Sequence, residues 1–313
     1  MTQPRPFRLG VLVWNQYTDW PAFRDVGARA DHLGYDQLWT WDHLYPIVGS
    51  PDGPMFEGYM ALAGWAGVTK RATLGLMVGA NPFRNPGLVV KMVTTLDHVS
   101  GGRAVLGIGG AWFETEHTAF GIDFGTGIGE RLNRLDEAVE LMSGMLRSGR
   151  GSARGIAYQA RDARNNPGPV QDRLPILIGG GGEQKTLRTV ARYADMWNIA
   201  NADPETAAHK LDVLRRHCDE IGRDPAEIEM SISLGPTLIR DDDAEADRAI
   251  AAIHERNIGT DRAILHGSPS MLAERIREYQ AVGFTNVLYH LAPPFDDETL
   301  ERFIAEVKPL VAS

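Results

Sequence analysis

Residues able to do chemistry gather at two places along this chain. The apolar run Leu38-Trp39-Thr40-Trp41 ends abruptly in Asp42 and His43. A short apolar run that follows a helix-ending glycine and precedes a polar loop reads as a buried strand, so the acid and the imidazole stand at the strand's exit. Imidazole ordinarily titrates at about 6.5, which lets His43 give or take a proton near neutral pH; the plainer alternative is a histidine that only hydrogen-bonds in a packed loop. The second place is the run Gly179, Gly180, Gly181, Gly182, followed by Glu183-Gln184-Lys185-Thr186. Unshielded amides between a strand and a helix N-terminus form an anion site suited to phosphate. Lys185 does not directly follow the last glycine, so the order is not that of a P-loop.

Several other chemistries lack their residues. Gly107-Ile108-Gly109-Gly110-Ala111-Trp112 begins like a dinucleotide fingerprint, but Trp112 stands where a third glycine must permit close helix packing. The nine histidines are scattered without a His-x-His or His-Glu-x-x-His pair, and Trp14-Asn15-Gln16 ends the first strand. No metal centre is expected. A Gly-x-Ser-x-Gly elbow is also missing, which argues against a serine hydrolase. What remains is a set of tryptophans at strand exits, Trp14, Trp41, Trp112 and Trp197. Asp42, His43, Asn81, Asn198, Asn201 and His290 lie among them. A flat aromatic ligand carrying a phosphate suits that lining, and Trp14, Trp112, Trp197 and His290 are the expected substrate-pocket residues.

The surrounding pattern supplies elements to position these groups. Apolar strands at residues 9–14, 38–43, 72–79 and 103–110 alternate with helices at 20–33, 56–68 and 86–99. Gly34 is placed to cap the first helix. Two stretches, 111–129 and 149–174, break the rhythm and read as irregular insertions on either side of an amphipathic helix at 131–146. The alternation then resumes through strands at 176–178, 196–199, 228–234 and 286–290, with helices at 185–193, 204–221, 244–258, 270–282 and 298–307. Eight strands each followed by a helix, with no compositional break, predict a single α/β domain over 1–313. Its expected form is a (β/α)8 TIM barrel with 111–129 and 149–174 inserted over its carboxyl-end mouth. A doubly wound open sheet is the alternative. In a barrel the carboxyl ends of the strands carry the chemistry, where Asp42 and His43 stand.

Composition narrows the partners. The 313 residues are 43% apolar and 23% charged, ordinary for a folded domain with a sizeable core. A formal charge of -9 argues against nucleic acid or an anionic membrane as main partner. Cys218 is the single cysteine, so no internal disulfide forms and a reducing, cytoplasmic setting is expected. Neither a signal peptide nor a membrane helix is expected.

Taken together, these motifs resemble the luciferase-like monooxygenase superfamily, and within it the branch that uses the deazaflavin coenzyme F420. The likeness is carried by Trp41-Asp42-His43, Asn81-Pro82-Phe83-Arg84-Asn85-Pro86, Asp97-His98-Val99-Ser100-Gly101-Gly102-Arg103, the Gly107 to Trp112 run, the four glycines at 179–182, and Gly267-Ser268-Pro269. It spans about residues 8–309. The resemblance implies a barrel with a non-proline cis peptide at Met77-Val78 backing the coenzyme ring. It also implies coenzyme phosphate on Gly179 to Gly182, with Asp42, Asn81 and Gly109 near the ring or its linker. His43 matches the histidine placed beside the reacting carbon.

The implied activity is hydride transfer between F420 and a small organic substrate, at a C=C, C=N or C=O bond, with His43 handling the proton. Homodimers through outer helices, here 88–99 and 131–146, are the implied assembly. The sugar-phosphate dehydrogenases of the branch carry a catalytic glutamate where this chain has Gly110, and a tryptophan where it has Ile47. That departure argues against sugar-phosphate oxidation and leaves Glu114 and Glu116 either to reach the site or to lie solvated. The alternatives are an FMN-dependent monooxygenase on the same fold and a coenzyme-binding protein without catalysis.

Overall fold

The computed structural model describes residues 5–258, 260 and 262–312. Eight parallel strands pair in sequence order: Arg8–Val13, Gln37–Thr40, Thr73–Leu76, Ala104–Gly109, Ile176–Gly179, Met196–Ala200, Glu229–Ile239 and Asn286–Leu291. The eighth returns to pair with the first, His290 opposite Leu12, and this closes a (β/α)8 TIM barrel rather than an open sheet. Local start and stop signals delimit several of the helices that surround it. Trp20–Leu33 starts on an Asp19 cap and ends at Gly34, whose φ of 106° only glycine adopts freely. Pro86–Ser100 begins under an Asn85 cap and stops at left-handed Gly101.

Alternation along the strands sorts residues into two cores. In the first strand Leu9, Val11 and Val13 pack outward against the helices, whereas Leu12 joins the barrel interior with Trp39, Met77, Val105, Leu177 and Leu288. Trp39 fills the interior because its neighbours have no side chain there. A Cβ on Gly75 would lie 2.4 Å from the Trp39 ring and one on Gly10 would lie 3.1 Å from its indole nitrogen. Truncating so large a buried side chain to alanine would cost about 3–5 kcal/mol. The barrel is thus plugged below, and the open space lies above it.

Asp97 and Arg103 work at the opposite, amino-terminal end. Asp97 is buried and accepts from the amides of Ala104, Val170 and Gln171, while the Arg103 guanidinium donates to Thr69 Oγ1 and to the carbonyls of Ala72 and Ser100. That motif ties loops together beneath the barrel.

Both stretches read as irregular carry secondary structure. Residues 111–129 contain the helix Glu114–Phe120, ended by left-handed Gly121, and the next helix, Ile128–Ser148, starts earlier than its apolar stripe suggested. Residues 149–174 contain an antiparallel hairpin, Arg150–Arg154 with Gln159–Arg164. The hairpin strands are mostly exposed, and only the alanines Ala153, Ala160 and Ala163 turn in against the core, so the apolar alternation by which a strand is recognised is weak. The third strand stops at Leu76, passes through a cis Met77-Val78 peptide and resumes as Gly79–Ala80 against the fourth strand. The seventh strand runs on to Ile239, with a register shift between Ser233 and Pro236 and Gly235 at a φ of 87°. A short strand, Leu265–Gly267, pairs with its far end. No described helix is long and apolar enough to cross a membrane.

Candidate active site

A cleft of about 550 Å³ opens at the carboxyl ends of the strands. His43 lies on its wall, just beyond the second strand, and its Nδ1 is 2.8 Å from Glu116 Oε1. The second carboxylate oxygen, Oε2, accepts from the backbone amide of Leu44 at 2.8 Å. An ionised carboxylate only accepts, so Nδ1 carries the proton of the neutral imidazole and Nε2 is left as its basic nitrogen. Glu116 is 1% exposed. Its place is set by the helix Glu114–Phe120, and the helix is anchored by His117, whose Nδ1 donates to Phe113 O and whose ring packs against Phe83 and Phe124. Glu114 sits two residues earlier on the same helix and is exposed.

Sequence alone left open whether Glu116 meets His43, yet a signal was present. Acidic residues followed by an alanine and an aromatic residue, then a glycine, mark a short helix start and stop. A helix there puts Glu116 and His117 on the inner face. Aromatic rings frame the imidazole: Trp112 and Phe113 meet it edge-on at 5.6 and 6.1 Å between centroids. Trp112 is 61% exposed and forms the rim.

Asp42 points into a different partnership. It is buried and receives a two-pronged contact from Arg84, Nη1 to Oδ2 at 2.7 Å and Nη2 to Oδ1 at 2.8 Å, plus the Ala80 amide at 2.9 Å. Arg84 also reaches Glu57. Burial raises the Asp42 carboxyl, and the hydrogen bonds and charge of Arg84 offset part of that rise. Desolvation works against the Arg84 charge, but Asp42 and Glu57 raise its pKa above the ordinary value. Asp42 lines the cleft, with its oxygens already engaged in fixing the Asn81–Phe83 turn that follows the third strand. Asn81 is buried and outside the cleft lining. Its Nδ2 donates to the Tyr158 hydroxyl of the hairpin, and its Oδ1 meets no partner among the described residues.

The back wall is the Met77-Val78 cis peptide. Val78 fits there because glycines flank it: a Cβ on Gly109 would lie 2.7 Å from Val78 Cγ2, and one on Gly179 would lie 2.9 Å from Cγ1. Gly109 is therefore needed for side-chain room. Gly180 has a φ of 122° and donates its amide to Asn198 O. Gly181 and Gly182 also line the cleft, and among the described residues their amides have no acceptor. The loop runs into the helix Thr186–Tyr193. Nearby cations are turned elsewhere: Lys185 donates to Gly129 O and Asn133 Oδ1, and Lys210 pairs with Glu183. The donors this loop turns to the cleft are therefore backbone amides, with Thr186 beside them.

The expected pocket residues divide. Trp112 and His290 line the cleft; Trp14 and Trp197 do not. Trp14 is buried in the barrel interior beneath Trp41, 4.9 Å between ring centroids. Trp197 faces outward, packs against Phe284 and donates its indole N–H to Gly180 O at 2.8 Å. Alternation explains it: Met196 faces the barrel interior and Asn198 lines the cleft, so the residue between them points away. Trp197 thus touches the glycine loop from behind. His290 is buried with Nε2 2.7 Å from Ser233 Oγ, and burial, helped by the charge of Arg262, lowers its pKa to about 3. It is neutral at physiological pH. Ser233 and Arg262, both on the lining, carry no sequence motif that singles them out.

Comparison with known proteins agrees with this geometry. A family model described as luciferase-like monooxygenase matches residues 8–263. The F420-dependent glucose-6-phosphate dehydrogenase of Microbacterium testaceum is 26% identical over 329 aligned positions that cover 96% of each chain. Among solved structures, an F420-dependent secondary alcohol dehydrogenase in complex with an F420-acetone adduct superposes with a TM-score of 0.84 at 17% identity. That match covers 99% of this chain and 100% of the other. The coenzyme F420-dependent tetrahydromethanopterin reductase of Methanopyrus kandleri gives 0.79 at 19% identity, with 97% and 99% covered. With its closed barrel and the family match over most of its length, this chain belongs to the luciferase-like monooxygenase family.

Proposed function

We propose that the protein is an F420-dependent oxidoreductase that moves a hydride between the coenzyme and a C=C, C=N or C=O bond of a small organic substrate. The observation that carries this reading is the His43–Glu116 pair on the wall of a cleft that also holds the 179–182 glycine loop. The relatives named F420-dependent support the choice of coenzyme. The residues fit such a group: free amides at Gly181 and Gly182 suit a phosphate, and the Val78 wall offers a flat apolar surface for a ring. When bound, F420 supplies or accepts the hydride.

The chain's own groups do the rest. His43 Nε2 takes the proton when the substrate is oxidised and returns it when the substrate is reduced. That proton transfer is worth about 10²–10⁴-fold in rate for a well-placed general acid–base, and Glu116 supports it by holding the ring in one tautomer and steadying the imidazolium that forms. Trp112 and Phe113 flank the imidazole and limit water. The relatives' sugar phosphate is not carried over, because by the family resemblance Gly110 and Ile47 stand where the sugar-phosphate dehydrogenases carry a glutamate and a tryptophan. A homodimer and a cytoplasmic setting belong to the same reading, and light scattering measures the first.

Titration of the purified protein with F420 and with FMN tests the assignment. The expected result is quenching of F420 fluorescence at micromolar concentration, weak FMN binding, and F420H2 oxidation in the presence of a suitable enone, imine or ketone. Preferential FMN binding with oxygen consumption would move the protein to the monooxygenase side of its family. Tight F420 binding without turnover across such a panel would favour a carrier.

A further inference from the structure

Charge in the cleft does not balance. Two carboxylates line it, and both are engaged: Asp42 with Arg84 and the Ala80 amide, Glu116 with His43 and the Leu44 amide. Arg262 is the one lysine or arginine on the described lining. It lies between the helix Asp243–Arg256 and the short strand Leu265–Gly267. Its backbone is held, N–H to Thr260 Oγ1 and C=O to His254 Nε2, but among the described residues its guanidinium has neither a hydrogen bond nor a carboxylate. Partial burial lowers its pKa, yet an arginine keeps its charge in a protein. An uncompensated guanidinium facing a cleft is costly unless an anion arrives to meet it.

His290 gives an independent sign in the same place. It lines the cleft, is 6% exposed, and its Nδ1 meets no partner among the described residues. In the tautomer in which Ser233 Oγ donates to Nε2, the neutral ring carries its proton on Nδ1 and offers a second unused donor. Arg262 is near enough for its charge to act on that ring. Both groups belong to the seventh and eighth strand side of the mouth, away from the glycine loop that follows the fifth strand.

We infer that Arg262, aided by His290, receives a carboxylate of the substrate, so that the molecule acted on is a small organic acid carrying the bond to be reduced or formed. A planar guanidinium meets a carboxylate or a phosphate two-pronged, but the described lining offers a phosphate dianion no second lysine or arginine, so the single charge of a carboxylate is the match. The chemical step rests on the oxidoreductase proposal; the binding of the acid does not.

The test uses cinnamate, its methyl ester and phenyl phosphate as probes, with binding measured calorimetrically to the protein alone and to the F420-loaded protein. Cinnamate is expected to bind about tenfold or more tighter than methyl cinnamate, and Arg262→Met to remove that preference, with Arg262→Lys between. Circular dichroism and F420 affinity should stay within about twofold of wild type. The inference is overturned if acid and ester bind alike, if Arg262→Met keeps the preference, or if phenyl phosphate wins through Arg262. Loss of F420 affinity in place of cinnamate affinity overturns it as well, by giving the arginine to the coenzyme. Failure to bind F420 at all refutes the proposed coenzyme, while the acid-over-ester preference of the protein alone still decides the role of Arg262.

Discussion

His43 Nδ1 and Glu116 Oε1 lie 2.8 Å apart although 73 positions separate them in the chain. The contact joins the exit of the second strand to a helix inserted after the fourth, and it fixes which nitrogen of the neutral imidazole carries the proton. Glu116→Gln should lower kcat by about 10- to 100-fold with little change in KM, and His43→Ala by ~10²-fold or more. Because the two act as a unit, the double variant should lose no more than His43→Ala alone. Additive losses in steady-state kinetics would separate them.

Gly180 has a backbone conformation that a side chain resists, with a φ of 122°. Gly180→Ala should leave circular dichroism unchanged and weaken F420 binding by about tenfold, since the strain of roughly 1–3 kcal/mol is relieved only by moving the loop. Fluorescence titration reads the change. Unaltered affinity would take the loop away from the coenzyme.

Arg84 meets the charge of Asp42, whose side chain is 1% exposed. Arg84→Met should cost about 3–5 kcal/mol in urea unfolding, because a buried carboxylate is left alone. Asp42→Asn in that background should recover part of the loss. A cost under about 1 kcal/mol, typical of an exposed ion pair, would contradict the burial argument.

His290 makes stability depend on pH. Its folded pKa of about 3 lies below the ordinary 6.5, so between those values the unfolded chain binds a proton that the folded chain does not. Stability is therefore lost as pH falls from about 6.5 toward 3. His290→Asn should flatten that acid limb, seen as a smaller drop in urea midpoint between pH 7 and pH 5. An identical drop in both proteins would show that His290 titrates normally in the fold.

Much of the architecture was legible because local patterning carries it. Strand and helix periodicities are short-range signals, and the Gly34 stop and the Pro86 start appear where their spacing predicts. The sixth strand held more than was taken from it: period-two alternation already turns Trp197 away once Asn198 faces the cleft. The hairpin at Arg150–Arg154 and Gln159–Arg164 was not legible, because its inward face carries only small alanines among polar and charged residues.

For the site, the sequence by itself determined the imidazole at a strand exit, the four-glycine loop, and the family likeness that put a cis bond at Met77-Val78. Tertiary structure alone decided that Glu116 pairs with His43, that Asp42 belongs to Arg84, and that Arg262 lines the cleft without a carboxylate partner among the described residues. The reason is physical: propensity and periodicity act over a few residues, whereas charge pairing in the cleft depends on which loops barrel closure brings together.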